Sequence, residues 1–145
     1  MKNITVKPNI TIRQAMKKLS QSGEKCLVII DLNKKLLGTL SDGDLRKGIL
    51  KGYEMNHSIE QIYQSNPTVF IDGEYTDENV KRIFAQQRFD LIPVINKKGK
   101  LIKILLWDEI LKNNKKNKKE ELNVPVVIMA GGKGTRLQPF TLVLP

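Results

Sequence analysis

Two stretches of this 145-residue chain hold side chains whose types and spacing could do chemistry. The first is Gly38-Thr39-Leu40-Ser41-Asp42-Gly43-Asp44, followed by Leu45 and Arg46. It places a hydroxyl and two carboxylates at the end of an apolar run, Leu36 to Leu40, where a helix with the stripe Leu45, Ile49 and Leu50 begins. A carboxylate at Asp44 can accept two or more hydrogen bonds from a ligand. Ser41 can bond a phosphate or sugar oxygen, and the first turn of a helix offers unpaired N–H groups to an anion. A plainer reading stands beside this one, since Ser and Asp are good helix caps and acids near a helix start are favoured by its dipole.

The second stretch is Ala130-Gly131-Gly132-Lys133-Gly134-Thr135-Arg136-Leu137-Gln138-Pro139-Phe140-Thr141. It follows the short apolar strand Val126 to Met129, and its three glycines within four positions let backbone N–H groups approach a phosphate chain. It is neither a P-loop nor a dinucleotide fingerprint, because the Gly-Lys-Ser/Thr ending and the third spaced glycine are both missing.

The elements that must position the first stretch occur twice. Adding 65 to each number carries Leu36–Leu45 onto Leu101–Ile110, Val6 onto Ile71, Thr11 onto Thr76, Leu19 onto Phe84, and Ile29 onto Val94, without a gap. Apolar positions stay in phase across two helices and two strands, so the chain holds a tandem repeat whose halves bury their apolar faces together. Each half reads β-α-β-β-α. In the first, Ile4 to Pro8 is extended, Thr11 caps a helix with Gln14 at capping-box spacing, and Cys26 to Ile30 is a covered strand. Asp31 to Lys35 turns the chain into Leu36. In the second, Thr76 caps a helix from Asp77 to Gln87, Leu91 to Ile95 and Leu101 to Leu106 are strands, and a helix opens near Asp108. Between the halves Ser58 caps a short helix that stops at Asn66-Pro67.

Composition narrows the classes. Forty per cent hydrophobic residues suffice for a core, and no run is long enough to span a membrane. A signal peptide is not expected at Met1, and the lone Cys26 excludes a disulfide framework and points to a reducing cytoplasm. The formal charge of +10 is mostly lysine and spread along the chain. Its densest run, Lys112 to Lys119, has neither arginine nor aromatic residues and reads as a solvated linker, so nucleic acid is not the favoured partner.

The doubled unit resembles a pair of CBS domains, the regulatory modules named after cystathionine beta-synthase. The carrying motif is glycine, two apolar or threonine positions, Ser/Thr, two variable residues and Asp, met here from Gly38 to Asp44. That resemblance implies an α/β (α+β) fold of two repeats, residues 1–58 and 59–112, packed as a pseudo-two-fold pair. It also implies an adenine nucleotide in the cleft of Ser41 and Asp44, with Val6 and Val28 flanking the base and Lys7 or Arg46 reaching phosphate. A homodimer through the pair is implied as well.

The second repeat is the weaker site. Leu106 stands at the position of Ser41, Lys103 at that of Gly38, and Glu109 at that of Asp44. Trp107 could stack on a base, or could be ordinary packing.

The run from Gly131 to Thr141 closely resembles the N-terminal signature of sugar-phosphate nucleotidyltransferases, Gly-Gly-x-Gly-Thr-Arg-Leu-x-Pro-x-Thr. This implies a linker over 113–124 and the first part of a Rossmann-like transferase domain over 125–145. By that resemblance Gly131, Gly132, Gly134 and Thr135 form the nucleotide loop, and Arg136 steadies the triphosphate. The parent enzyme would join a sugar 1-phosphate to a nucleotide with Mg²⁺ and release pyrophosphate, with guanine the favoured donor base. The remaining strands, the metal-holding carboxylates and the sugar-recognising residues lie beyond Pro145 in that family, so no activity is expected of this chain by itself.

Overall fold

The computed structural model describes residues 4–110. Two three-stranded sheets are built from β1 (Thr5–Val6), β2 (Cys26–Ile30) and β3 (Leu36–Ser41), and from β4 (Phe70–Ile71), β5 (Leu91–Ile95) and β6 (Leu101–Leu106). The middle strand of each sheet runs parallel to the first and antiparallel to the third. Helices α1 (Ile12–Ser22), α2 (Asp42–Leu50) and α3 (Asp77–Gln87) complete the repeats, and residues 107–110 open a further helix.

The offset of 65 is kept in atomic detail. Cys26 pairs with Ser41 as Leu91 pairs with Leu106, and both hairpins shift register just before their turns, at Ile29/Ile30 and Val94/Ile95. Across the two repeats, Leu36 N–H donates to Gly99 O at 3.0 Å while Leu101 N–H donates to Lys34 O at 2.9 Å. Each bond is the other moved by the same offset, which fixes the pseudo-two-fold relation of the halves.

One departure has a plain cause. In the first repeat Val28 N–H donates to Ile4 O at 2.9 Å. Its counterpart is Pro93, which has no N–H to give. The parallel register slips accordingly, so Thr5 faces Val28 but Phe70 faces Val94.

The helices begin and end as their sequences direct. Thr11 and Gln14 form the expected capping box, with Gln14 N–H on Thr11 Oγ1 at 3.2 Å and Thr11 N–H on Gln14 Oε1 at 2.9 Å. Thr76 caps α3 through Asn79 N–H at 3.3 Å. Gly23 closes α1 in the left-handed region, and Arg88 closes α3 in the same conformation.

The core is continuous across the repeats. Ile12, Ala15, Leu27, Val28, Ile29, Leu40 and Leu45 are buried together with Leu91 and Leu106 of the second repeat. Phe70, Val80, Phe84, Ile92 and Val94 form a smaller cluster beneath α3. The helical turn at Ile59–Gln61 and the segment after it pack on the first repeat: Ile59 N–H donates to Ile10 O, and Thr39 and Gln64 exchange two backbone hydrogen bonds. These contacts carry the packing of the first repeat as far as Gln64. Among the described residues no helix is long and apolar enough to cross a membrane.

Candidate functional site

The site grows from the junction of β3 and α2. Ser41 is the last residue of the strand and the N-cap of the helix, and Asp44 is its third helical residue. Ser41 Oγ accepts from Asp44 N–H at 3.1 Å and donates to Asp44 Oδ2 at 2.6 Å. Ser41 N–H donates to the same Oδ2 at 2.9 Å. The capping reading of these residues is thus realised in full.

Capping does not use up the carboxylate. An ionised Asp offers two oxygens and about four lone-pair positions, and both hydrogen bonds that the carboxylate accepts in the cap fall on Oδ2. The cap fixes the Asp44 side chain and leaves Oδ1 outside the box. Ser41 is different: its only hydroxyl hydrogen goes to Asp44, so it has none to give a phosphate.

These two residues line a cleft of about 540 Å³ between the repeats. The wall from the first repeat brings Thr39, Ser41, Asp44 and Lys47, and the facing wall brings Arg88, Phe89, Asp90, Leu91 and Pro93. The connection between the repeats adds Gln64, Asn66 and Thr68. The cleft thus has hydroxyls, carboxylates and two cations around a partly apolar floor. Its volume lies within the range of small-molecule sites.

Cys26 also lines this cleft. Burial pushes its thiol up to about 12, and the charges of Asp44 and then Asp90 push the same way. It is a protonated, half-buried small hydrophobe.

Four residues expected at the ligand fall elsewhere. Val28 is fully buried in the core, because the middle strand of the sheet is covered on both faces. Val6 packs against that core from β1 and does not line the cleft. Arg46 is exposed and tied to Asp42, one helical turn back, at 2.6 Å. Lys7 donates instead to the backbone carbonyl of Asp31. The cations that do face the cleft, Lys47 and Arg88, were not singled out by sequence. Lys47 follows from Asp44 by helical spacing, while Arg88 comes from the other repeat, which no local pattern announces.

The pseudo-symmetric second cleft is only about 120 Å³ and is lined by Gly23, Glu24, Lys25, Asp90, Leu106, Trp107 and Asp108. Trp107 stacks on Phe84, with ring centroids 5.5 Å apart and planes at 24°, so its face is spent on packing. Glu109 is exposed and lies outside the lining, where Asp108 stands instead. Leu106 is buried in the shared core, which closes the space that Ser41 leaves open. The glycine-rich residues Gly131, Gly132, Gly134, Thr135 and Arg136 lie outside the described residues.

With this geometry in hand, comparison with known proteins is informative. The CBS domain family model matches residues 1–51. Among solved structures, CBSX2 in complex with AMP superposes with a TM-score of 0.66 at 28% identity, covering 77% of this chain and 87% of that one. The fold is that of a CBS-domain pair.

A second CBS-domain structure agrees on the architecture. The CBS-domain protein ATU1752 of Agrobacterium tumefaciens gives a TM-score of 0.65 at 22% identity over 77% of this chain and 88% of its own. In sequence the pair is similar to inosine-5'-monophosphate dehydrogenase of Aquifex aeolicus, 23% identical over 112 residues, or 77% of this chain and 22% of that enzyme. It is also similar to an uncharacterized 17.7 kDa protein of Acidianus ambivalens, 28% identical and covering 69% of this chain and 60% of that protein. The chain spans 22%, 32% and 28% of the first three curated relatives it matches.

Proposed function

We propose that this CBS pair is a regulatory module that binds one adenine nucleotide in the cleft of Ser41 and Asp44. The observation that carries this is a cleft of about 540 Å³ whose one wall holds a pre-oriented carboxylate and whose other holds a guanidinium. In this reading Asp44 Oδ1 accepts from the ribose hydroxyls, while Arg88 and Lys47 draw the phosphate toward the open side. Phe89 supplies apolar surface for a base. The AMP complex of the similar CBSX2 supports the ligand class. The small second cleft takes no nucleotide.

The module regulates by preferring one of two shapes or dimer packings when the ligand is bound, since a ligand shifts an equilibrium only through differential affinity. What it regulates is read from the motif of Gly131 to Thr141 alone: a sugar-1-phosphate nucleotidyltransferase, with Mg²⁺ acting there. A homodimer of CBS pairs belongs to the same proposal, and analytical ultracentrifugation with and without nucleotide tests it.

A thermal-shift titration with AMP, ADP, ATP, GTP and CTP tests the cleft. A ligand at a hundredfold its Kd stabilises by about 2.7 kcal/mol, enough for several degrees at this size. The expected result is a saturable shift with an adenine nucleotide, lost in Asp44→Ala. No shift with any of the five would leave a ligand-free dimerising scaffold, the second reading that the complete capping box favours.

A further inference from the structure

The pole of the molecule opposite the clefts gathers lysines that are far apart in sequence. Strands β2 and β5 start at the first cleft, where Cys26 and Leu91 line it, and run away from it to the two hairpin turns. The first turn presents Lys34 and Lys35, the second Lys97, Lys98 and Lys100, and all five are exposed. Lys35 and Lys100 are antiparallel bridge partners across the pseudo-two-fold axis. The reciprocal bonds of Leu36 and Leu101 hold them there. A Cβ built on Gly99 would lie 3.7 Å from Lys35 Cε, so the Lys35 stem runs across the neighbouring turn.

This arrangement is unfavourable twice over. Like charges directly opposite each other on paired strands repel. Lys34 also adopts φ 62, a left-handed conformation whose counterpart in the second turn is a glycine, Gly99 at φ 76. The turns neutralise themselves only in part. Asp31 is the one carboxylate in them, its Oδ1 accepting from the N–H groups of Asn33 and Lys35, and the uncharged Asn96 plays that part for Lys98 and Lys100. Lys97 pairs with Glu74 at 3.1 Å, and among the described residues no ion pair engages Lys34, Lys35, Lys98 or Lys100.

We propose that this pole is a docking surface for the phosphate backbone of nucleic acid, bound without regard to sequence. Exposed ammonium groups are strongly hydrated point charges, and a single small anion gains little from them. A polymer that neutralises several at once releases its counterions and gains with each contact. Neither turn holds an aromatic residue for stacking on bases, and lysine binds phosphate as a point charge, so the phosphate backbone and not the base edges is the chemistry that fits. A net charge of +10 adds long-range attraction. The lysines that seem dispersed along the chain are brought to one end by the repeat itself. The surface is separate from the nucleotide cleft and independent of its proposed role.

Fluorescence anisotropy of the 145-residue chain with a labelled mixed-sequence duplex, from about 50 to about 200 mM salt, tests this. One variant carries Lys34→Gln, Lys35→Gln, Lys98→Gln and Lys100→Gln. A control of equal charge carries Lys112→Gln, Lys115→Gln, Lys116→Gln and Lys118→Gln. With four phosphate contacts removed, the pole variant should bind with a log–log salt slope shallower by roughly 3 to 4. The control should keep most of the slope. Thermal unfolding of the pole variant should occur at the same or a higher temperature, because repulsion is relieved, and any nucleotide shift in the cleft should persist. Equal losses in both variants, no binding at low salt, or competition by polyglutamate as effective as by duplex would each overturn the proposal.

Discussion

The two repeats share a backbone and differ in what they do with it. At the β3–α2 junction the first repeat has a hydroxyl and a carboxylate locked in a capping box, open to a large cleft. At the equivalent junction the second repeat buries Leu106 in the core and stacks Trp107 on Phe84. The hairpin register is the same in both, so the difference lies entirely in side chains. One repeat leaves its junction open to a cleft, and the other fills it with packing. A duplicated unit can divide labour in this way, because the apolar contacts that hold the pair together need be supplied on one side only.

Gly38 and Lys103 sharpen the contrast most. A Cβ at Gly38 would lie 2.2 Å from Gln64 O and 2.6 Å from Tyr63 Cδ2, because the connection between the repeats crosses β3 there. The close neighbour of this glycine is thus backbone. Gly38→Val should destabilise by about 3 kcal/mol through overpacking and break the Thr39–Gln64 pairing. Lys103→Gly, at the exposed counterpart, should cost only about 0.5–1 kcal/mol besides its contact with Tyr75. Urea unfolding of both variants measures this. Similar costs at the two positions would mean that the connection is not held by β3.

How much of this was legible in the residues follows from how local each cause is. The repeat, the strands and the caps at Thr11, Ser41 and Thr76 rest on short-range periodicity and side-chain-to-backbone bonds within three residues, and sequence shows both. The cleft does not rest on such patterns. Asp44 was legible because its spacing from Ser41 is local, whereas Arg88 faces it across the pair and Val28, apolar and well placed in sequence, is sealed in the core. The partner of Arg46 is four residues back on the same helix, a pairing that sequence can offer but cannot choose over a phosphate. Pro93 slips the register of β4 by removing one donor, an effect visible only once the strands are paired.

The next pair of variants concerns the carboxylates. Asp44→Ala removes the reciprocal half of a capping box and should cost about 1 kcal/mol, together with the nucleotide-dependent thermal shift. Glu109→Ala, exposed and outside the second cleft, should stay within about 0.5 kcal/mol and leave the shift intact. Equal effects would show that the second repeat also contributes a site.

Smaller again is the exchange at the helix ends. Arg88 is the non-glycine counterpart of Gly23, both in the left-handed region at φ 53 and φ 68. Arg88→Gly should relieve strain, a gain below about 1 kcal/mol, while weakening nucleotide binding by loss of a cation in the cleft. Gly23→Arg should lose stability by a similar amount with no change in binding. Stability and affinity moving in opposite directions at residue 88 is the signature of a residue kept for its ligand. If both fell together, Arg88 would be a packing residue.

The smallest effect separates Cys26 from its counterpart Leu91, both at the edge of the first cleft. Burial, then Asp44 and Asp90, push the Cys26 thiol up to about 12 from its ordinary 9.0. The folded state therefore favours the protonated form. That contribution is fully present below pH 9 and fades as pH rises toward 12, because the unfolded chain loses its proton first. The wild-type chain should accordingly lose more stability over this window than Cys26→Ser, whose hydroxyl does not titrate there, while near neutral pH the two differ least in this loss. Alkylation by iodoacetamide should be slow near neutral pH, faster in Asp44→Asn, where one of the carboxylate charges opposing the thiolate is gone, and slower still with nucleotide in the cleft. Rapid alkylation of the folded wild type at neutral pH would place Cys26 outside the cleft wall, and with it the edge of the cleft where the two repeats come together.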